Sequence, residues 1–106
     1  MTSTLAPTAL LTLNIPASLE EEVSDFLLLH SHWAPGFSMV EAQGAGDGAS
    51  LMSAMEQVRG RCQRLLVLIP GQPAEFSELL RRLAQQIRHP DVRYWITPLL
   101  AAGGLL

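Results

Sequence analysis

The 106-residue chain has a single cysteine, Cys62, and no lysine: its seven basic side chains are all arginine, against ten acidic ones. One cysteine forms no internal disulfide, which excludes a disulfide scaffold and fits a reducing compartment. The net charge of -3 leaves no general electrostatic footprint for nucleic acid, so nucleic acid is not expected as a partner. Long hydrophobic runs are also missing. Mean hydropathy is +0.22, yet the longest apolar runs, Phe26-Leu27-Leu28-Leu29 and Leu65-Leu66-Val67-Leu68-Ile69, fall far short of the roughly 18 residues a membrane helix needs. A spanning segment and direct membrane insertion are excluded on this reading. No basic residue precedes the apolar stretch within Met1 to Leu13, so the n-region of a secretory signal is lacking and a cytoplasmic location is expected. The length suits one domain, expected over 9–100, with 1–8 and 101–106 as flexible termini.

What is present is period. Leu11, Leu13 and Ile15 fall on one side of an extended chain, Leu10, Thr12 and Asn14 on the other, which predicts a half-buried strand over Ala9 to Ile15 that Pro16 ends. Ser18 with Glu21 has the spacing of a capping box, and Glu20, Glu21 and Glu22 sit on the positive end of the helix dipole. Leu19, Val23, Phe26, Leu27 and His30 follow at helical spacing. A second strand is expected over Phe37 to Gln43, then a mobile loop through Gly44, Gly46, Asp47 and Gly48, with a turn or two of helix over Leu51 to Val58 and a close at Gly60. The five apolar residues after Arg64 predict a strand covered on both faces, broken by Pro70-Gly71-Gln72-Pro73. Phe76, Leu79, Leu80, Leu83 and Ile87 mark an amphipathic helix from about Pro73 to Arg88, and Val92 to Thr97 alternate as a last strand.

Strand, helix, strand, strand, helix, strand is the order of an α+β ferredoxin-like βαββαβ sandwich, with two helices on one face of a four-stranded antiparallel sheet. Its other face would carry Leu10, Val40, Leu66 or Val67, and Trp95, a patch a small monomer does not usually leave in water. Association through the open face, with Trp95 at the subunit interface, is expected.

At this point several segments resemble a known family. The excursion Gly44 to Gly60 occupies the place of the T-loop in PII signalling proteins, which are trimers of this fold. Pro35-Gly36-Phe37, Glu56-Gln57-Val58-Arg59-Gly60-Arg61 and Tyr94-Trp95-Ile96-Thr97-Pro98-Leu99-Leu100 are similar to a small PII-like family of bacterial proteins, some linked to heavy-metal efflux systems. The resemblance implies a non-enzymatic homotrimeric regulator that acts through 44–60 on a protein target such as a membrane transporter. It does not extend to the nucleotide site. PII proteins hold phosphates with a glycine- and lysine-containing loop between the second helix and last strand, where this chain has Arg88-His89-Pro90-Asp91. Nor is a loop tyrosine present for uridylylation, the only tyrosine being Tyr94.

Two ligand classes fit the remaining residues. A small anion or effector would be gripped by Arg59-Gly60-Arg61, where glycine lets the backbone approach and two guanidiniums pair with phosphate or carboxylate, with Arg93 on the same intersubunit surface. The alternative for these arginines is a solvated strand entrance paired with Glu56 or with another chain. A transition metal ion, as in a metal-binding or metal-sensing module similar in fold to the CutA proteins, would use His30, His32 or Cys62. Against that, a histidine placed like His30 is more often a packed residue or helix C-cap, His32 reads as loop surface and Cys62 as a small buried residue. No Ser-His-Asp arrangement is visible, and Glu20 to Glu22 are explained by the helix terminus rather than acid-base work.

Overall fold

Two-residue spacing decides which strand residues reach the core. Leu11, Leu13 and Ile15 are fully buried, and so are their neighbours Ile69 and Val67. The computed structural model describes residues 6–45 and 62–106. Among them the order is β1 (Ala9–Pro16), a 3-10 turn (Ala17–Leu19), α1 (Glu20–Leu29), β2 (Ser38–Gly44), β3 (Cys62–Gly71), α2 (Pro73–Gln86) and β4 (Arg93–Pro98). The expected helical turn over Leu51 to Val58 lies outside the described residues.

The strands form one antiparallel sheet in the order β2-β3-β1-β4, the ferredoxin-like arrangement the element order implies. The register places Leu11 opposite Ile69, Leu13 opposite Val67 and Ile15 opposite Leu65, all on the face that the helices cover. Val23, Phe26 and Leu27 of α1 and Phe76, Leu79 and Leu83 of α2 close that face from above, each set repeating at three and four residues. A fully buried Leu or Phe contributes about 1.5–3 kcal/mol over an exposed one, so these residues carry most of the fold's favourable energy. Gly71 shows how tight the packing is: a Cβ there would stand 2.9 Å from the Phe76 ring.

Three expectations are corrected. Ser18 does not cap α1. The chain enters from Pro16 through the 3-10 turn, the helix starts at Glu20 behind Leu19, and neither N-cap position makes a side-chain cap bond. Glu20, Glu21 and Glu22 do occupy its first turn. Pro70 and Gly71 belong to β3, because Pro70 pairs with Leu10 and Gly71 with Ala9 at the sheet's end. The covering of β3 is one-sided: Leu65, Val67 and Ile69 are buried, while Leu66 and Leu68 on the open face are half-buried. Thr8 extends the ladder, donating its N–H to Gly71 O and accepting from Leu99 N, both at 3.0 Å. Among the described residues no helix is long and apolar enough to cross a membrane.

The open face carries Leu10, Val40, Leu66, Leu68 and Trp95, as the register with Thr12 and Asn14 requires. Val67 falls in the core instead. Val40 and Trp95 remain 45% and 44% exposed. On the other face Tyr94 and Ile96 share the helix side with Leu13 and Leu11, but at the sheet's edge they stay exposed.

Candidate functional site

Arg64, the third residue of β3, points to the open face, yet it is buried. Its Nε donates to Asn14 Oδ1 at 2.7 Å and its Nη2 to Asn14 O at 3.0 Å, fixing it to the end of β1. From the other side its guanidinium donates to the Asp91 carboxylate, and Nη2 donates to Asp91 O at 2.8 Å. Asp91 is itself buried in the α2–β4 connection, and its N–H donates to His89 Nδ1 at 3.1 Å. One side chain thus ties β3, β1 and the connection before β4 into a single rigid corner. A buried charge pair is tolerated only when its remaining hydrogen-bonding groups are satisfied, and among the described residues no buried side-chain nitrogen or oxygen lacks a partner.

That corner stands where β2 and β3 frame the segment between them. Gly44, the last residue of β2, pairs with Cys62, the first of β3. A Cβ on Gly44 would approach Arg64 Cγ to 2.9 Å and Cys62 Sγ to 3.3 Å, so glycine lets β2 lie against the arginine's stem. A cleft of about 490 Å³ opens here, lined by Glu41 and Gln43 of β2, Gln63 and Arg64 of β3, Ala17 of the 3-10 turn and Glu20 at the start of α1. Glu20 and Glu41 give its walls two carboxylates, and the guanidinium within reach is engaged by Asn14 and Asp91.

The expected anion residues divide between this corner and the undescribed segment. Arg93 is exposed at the start of β4, opposite Asn14 and on the open face two residues from Trp95. Arg59, Gly60 and Arg61 lie outside the described residues, as do Gly46, Asp47 and Gly48 of the expected partner loop. Of the metal candidates, His30 and His32 lie together, with ring centroids 6.2 Å apart, and Cys62 stands away from them. Cys62 lies at the Gly44 end of the sheet, whereas His30 and His32 follow α1 at the opposite end, ahead of Ser38, which pairs with Leu68. Among the described residues no three His, Cys, Asp or Glu side chains converge as metal ligands.

His30 and His32 join an aromatic cluster instead. His30 is the C-cap of α1, and its ring lies 4.4 Å from Phe26 and stacks on Trp33 at 5.4 Å. His32 packs on Trp33 with centroids 3.9 Å apart, and the Arg82 guanidinium sits 4.8 Å from the Trp33 ring. Such cation–π contacts hold a helix and a loop together without burying the charge. Glu78 orients Arg82 through a 3.0 Å bond from its Nε and also accepts from Arg81, at 3.0 and 2.6 Å. Those hydrogen bonds lower the Glu78 carboxyl from its ordinary 4.5 to about 2.

The Arg64–Asp91 pair is the residue relationship that reading the chain misses. Its signals are an arginine at the head of an otherwise apolar strand and a lone acid just before the last strand.

The family model described as "Protein of unknown function (DUF3240)" matches residues 5–106. Among solved structures, a DUF3240 family protein from Shewanella baltica OS155 is 23% identical, with a TM-score of 0.65 over 96% of this chain and 100% of the other. CPII from Thiomonas intermedia K12, a nitrogen regulatory PII-like protein solved with ADP, AMP and bicarbonate, is 12% identical with a TM-score of 0.67, over 93% and 97%. CutA1 from Pyrococcus horikoshii OT3 is 11% identical with a TM-score of 0.66, over 90% and 86%. No curated protein matches the chain. At these identities the solved structures establish the fold, which is PII-like. The family model spans all but the first residues, and the chain therefore belongs to the DUF3240 family.

Proposed function

We propose that this chain is the subunit of a homotrimeric PII-like regulator, packed through its open sheet face, that acts on a protein partner through residues 44–60. The observation that carries the reading is the open face itself. Leu10, Val40, Leu66, Leu68 and Trp95, with Thr12 and Asn14 between them, share one face of a sheet whose other face already has its helices. Covering it with further copies removes that surface from water. The same packing leaves the Gly44–Cys62 corner at the rim, where a bound effector and the partner segment would share the ends of β2 and β3.

A small anion is the effector class to test, since the Thiomonas relative holds ADP, AMP and bicarbonate. The Arg88-His89-Pro90-Asp91 connection supplies neither glycine nor lysine for phosphates, and its Asp91 is committed to Arg64. The anion would therefore meet Arg59, Gly60, Arg61 and Arg93. A metal-efflux transporter is the partner class that the family resemblance suggests, and the fold shared with CutA1 keeps metal sensing as the alternative.

Deleting Ala45 to Ser50 tests the central claim. Light scattering should show an unchanged trimer, and an efflux transporter co-expressed from the same source should no longer be retained by the deletion variant. Equal retention by the wild type and the deletion would overturn the reading.

A further inference from the structure

β4 ends with Pro98 opposite Ala9, and Leu99 makes the last bond to the sheet through Thr8 O. Beyond it the stretch Leu100-Ala101-Ala102-Gly103-Gly104-Leu105-Leu106 carries no charged side chain, and Leu100, Leu105 and Leu106 are wholly exposed, at 103%, 102% and 121%. A scattered exposed leucine needs no explanation, but a stretch with no charged side chain that carries three of them is an apolar surface waiting for a cover.

A matching cover lies at the same end of the sheet. Ala9 stands opposite both Pro98 and Gly71, and next to Gly71 opens a groove of about 480 Å³ between the α1–β2 and β3–α2 connections. Pro7, Pro35, Phe37 and Pro70 supply rigid apolar walls, and Gly36 leaves room, since a Cβ there would meet nothing within 4 Å. His32 and Glu75 give it a polar rim. The arm departs from the β4 edge and the groove adjoins β2, the opposite edge.

We propose that residues 100–106 of one copy seat their leucines in the proline-walled groove of the next copy. An arm on one edge and its receptor on the other make a head-to-tail contact, the kind that closes into a ring when the rotation fits. This rests on the trimer reading and adds to it a second interface, separate from the open face. Fully extended, seven residues span at most about 25 Å, long enough to cross a subunit boundary, and leucines that are wholly exposed in the single chain are not seated in its own groove. A membrane surface is the poorer occupant for the arm, which has no basic side chain to meet lipid headgroups.

Disulfide trapping tests the exchange. In a Cys62→Ala background, one chain carries Leu105→Cys, and a second chain, with a tag of different size, carries Gly36→Cys. The two are co-expressed, checked by light scattering and oxidised. The expected product is a cross-link between the two tagged chains, absent when Ser77→Cys, on the exposed side of α2, replaces Gly36→Cys. A trimer that forms no such cross-link overturns the arm exchange and leaves the trimer reading standing. With both cysteines in one chain, an intrachain disulfide as the sole product overturns it too, because the arm then folds onto its own groove. A monomeric wild type overturns both readings.

Discussion

The guanidinium of Arg64 and the carboxylate of Asp91 form a buried pair that joins β3 to the connection before β4, and Arg64 also donates to the Asp91 carbonyl. Their side chains are only 7% and 8% exposed, so water does little to screen either charge. Removing one partner from such a pair strands the other and costs about 3–5 kcal/mol. Asp91→Ala should therefore lower the melting temperature by on the order of 15 °C or more for a domain of this size. Arg64→Met should do the same, and the double variant should lose clearly less than the sum of the two, because the stranded charge is gone. Calorimetry giving additive losses would mean that the two side chains act independently.

A second expected outcome concerns acid. Glu78 is held at about 2 by hydrogen bonds from Arg81 and Arg82, below its ordinary 4.5. A carboxyl held below its unfolded pKa stabilises the fold fully above that unfolded value, and the contribution disappears as pH falls through the folded one. The contribution of Glu78 is thus complete above about pH 4.5 and lost from there down to about pH 2. Being exposed to solvent and salt, the cluster has only a small effect. Glu78→Gln should lower urea-unfolding stability slightly at neutral pH, and its difference from the wild type should vanish as pH falls from about 4.5 to about 2, which makes its acid limb shallower. An acid limb identical to that of the wild type would assign acid sensitivity to other carboxylates.

The contrast between these two charge clusters explains what the chain discloses in advance. Glu78, Arg81 and Arg82 are neighbours on one helix, and Leu11, Leu13 and Ile15, or Phe76, Leu79 and Leu83, declare their faces by period alone. The element order and open-face residues Leu10, Val40 and Trp95 follow from the same local rule, while the choice between Leu66 and Val67 needs the pairing register. Arg64 and Asp91 are 27 positions apart, and period says which face Arg64 takes but not which distant acid meets it there. Ser18 fails for a related reason: it has cap spacing, but the chain leaving Pro16 first closes a 3-10 turn. His30 and Cys62 are separated because α1 carries the chain from one end of the sheet to the other, a distance composition does not encode.

Trp95 should anchor the oligomer. It lies opposite Thr12 on the open face, 44% exposed in the single chain, with a large ring and an N–H donor. A carboxylate placed there would be desolvated by the neighbouring copy without a partner. Trp95→Glu should yield monomers or insoluble protein by light scattering, whereas Ser77→Glu, on the exposed surface of α2, should leave the trimer intact. An unchanged trimer in the Trp95 variant would move the subunit interface to another face.

Arg59, Arg61 and Arg93 make the sharpest claim about a ligand. Arg93 sits at the corner that Arg64 and Asp91 hold rigid, and the segment carrying Arg59 and Arg61 re-enters the sheet there, at Cys62. An anion bound between copies at this corner would take charge-assisted hydrogen bonds from these guanidiniums. Each such bond is worth about 1.5–3 kcal/mol, so losing one should weaken binding on the order of tenfold to a hundredfold. By calorimetry with adenine nucleotides and bicarbonate, Arg59→Ala, Arg61→Ala and Arg93→Ala should each reduce affinity at constant oligomeric state. Arg81→Ala, whose guanidinium is engaged by Glu78 on the exposed side of α2, should change nothing. If all four variants bound alike, or the wild type bound no anion at millimolar concentration, these arginines would belong to salt bridges. The corner would then position the partner segment without a small ligand.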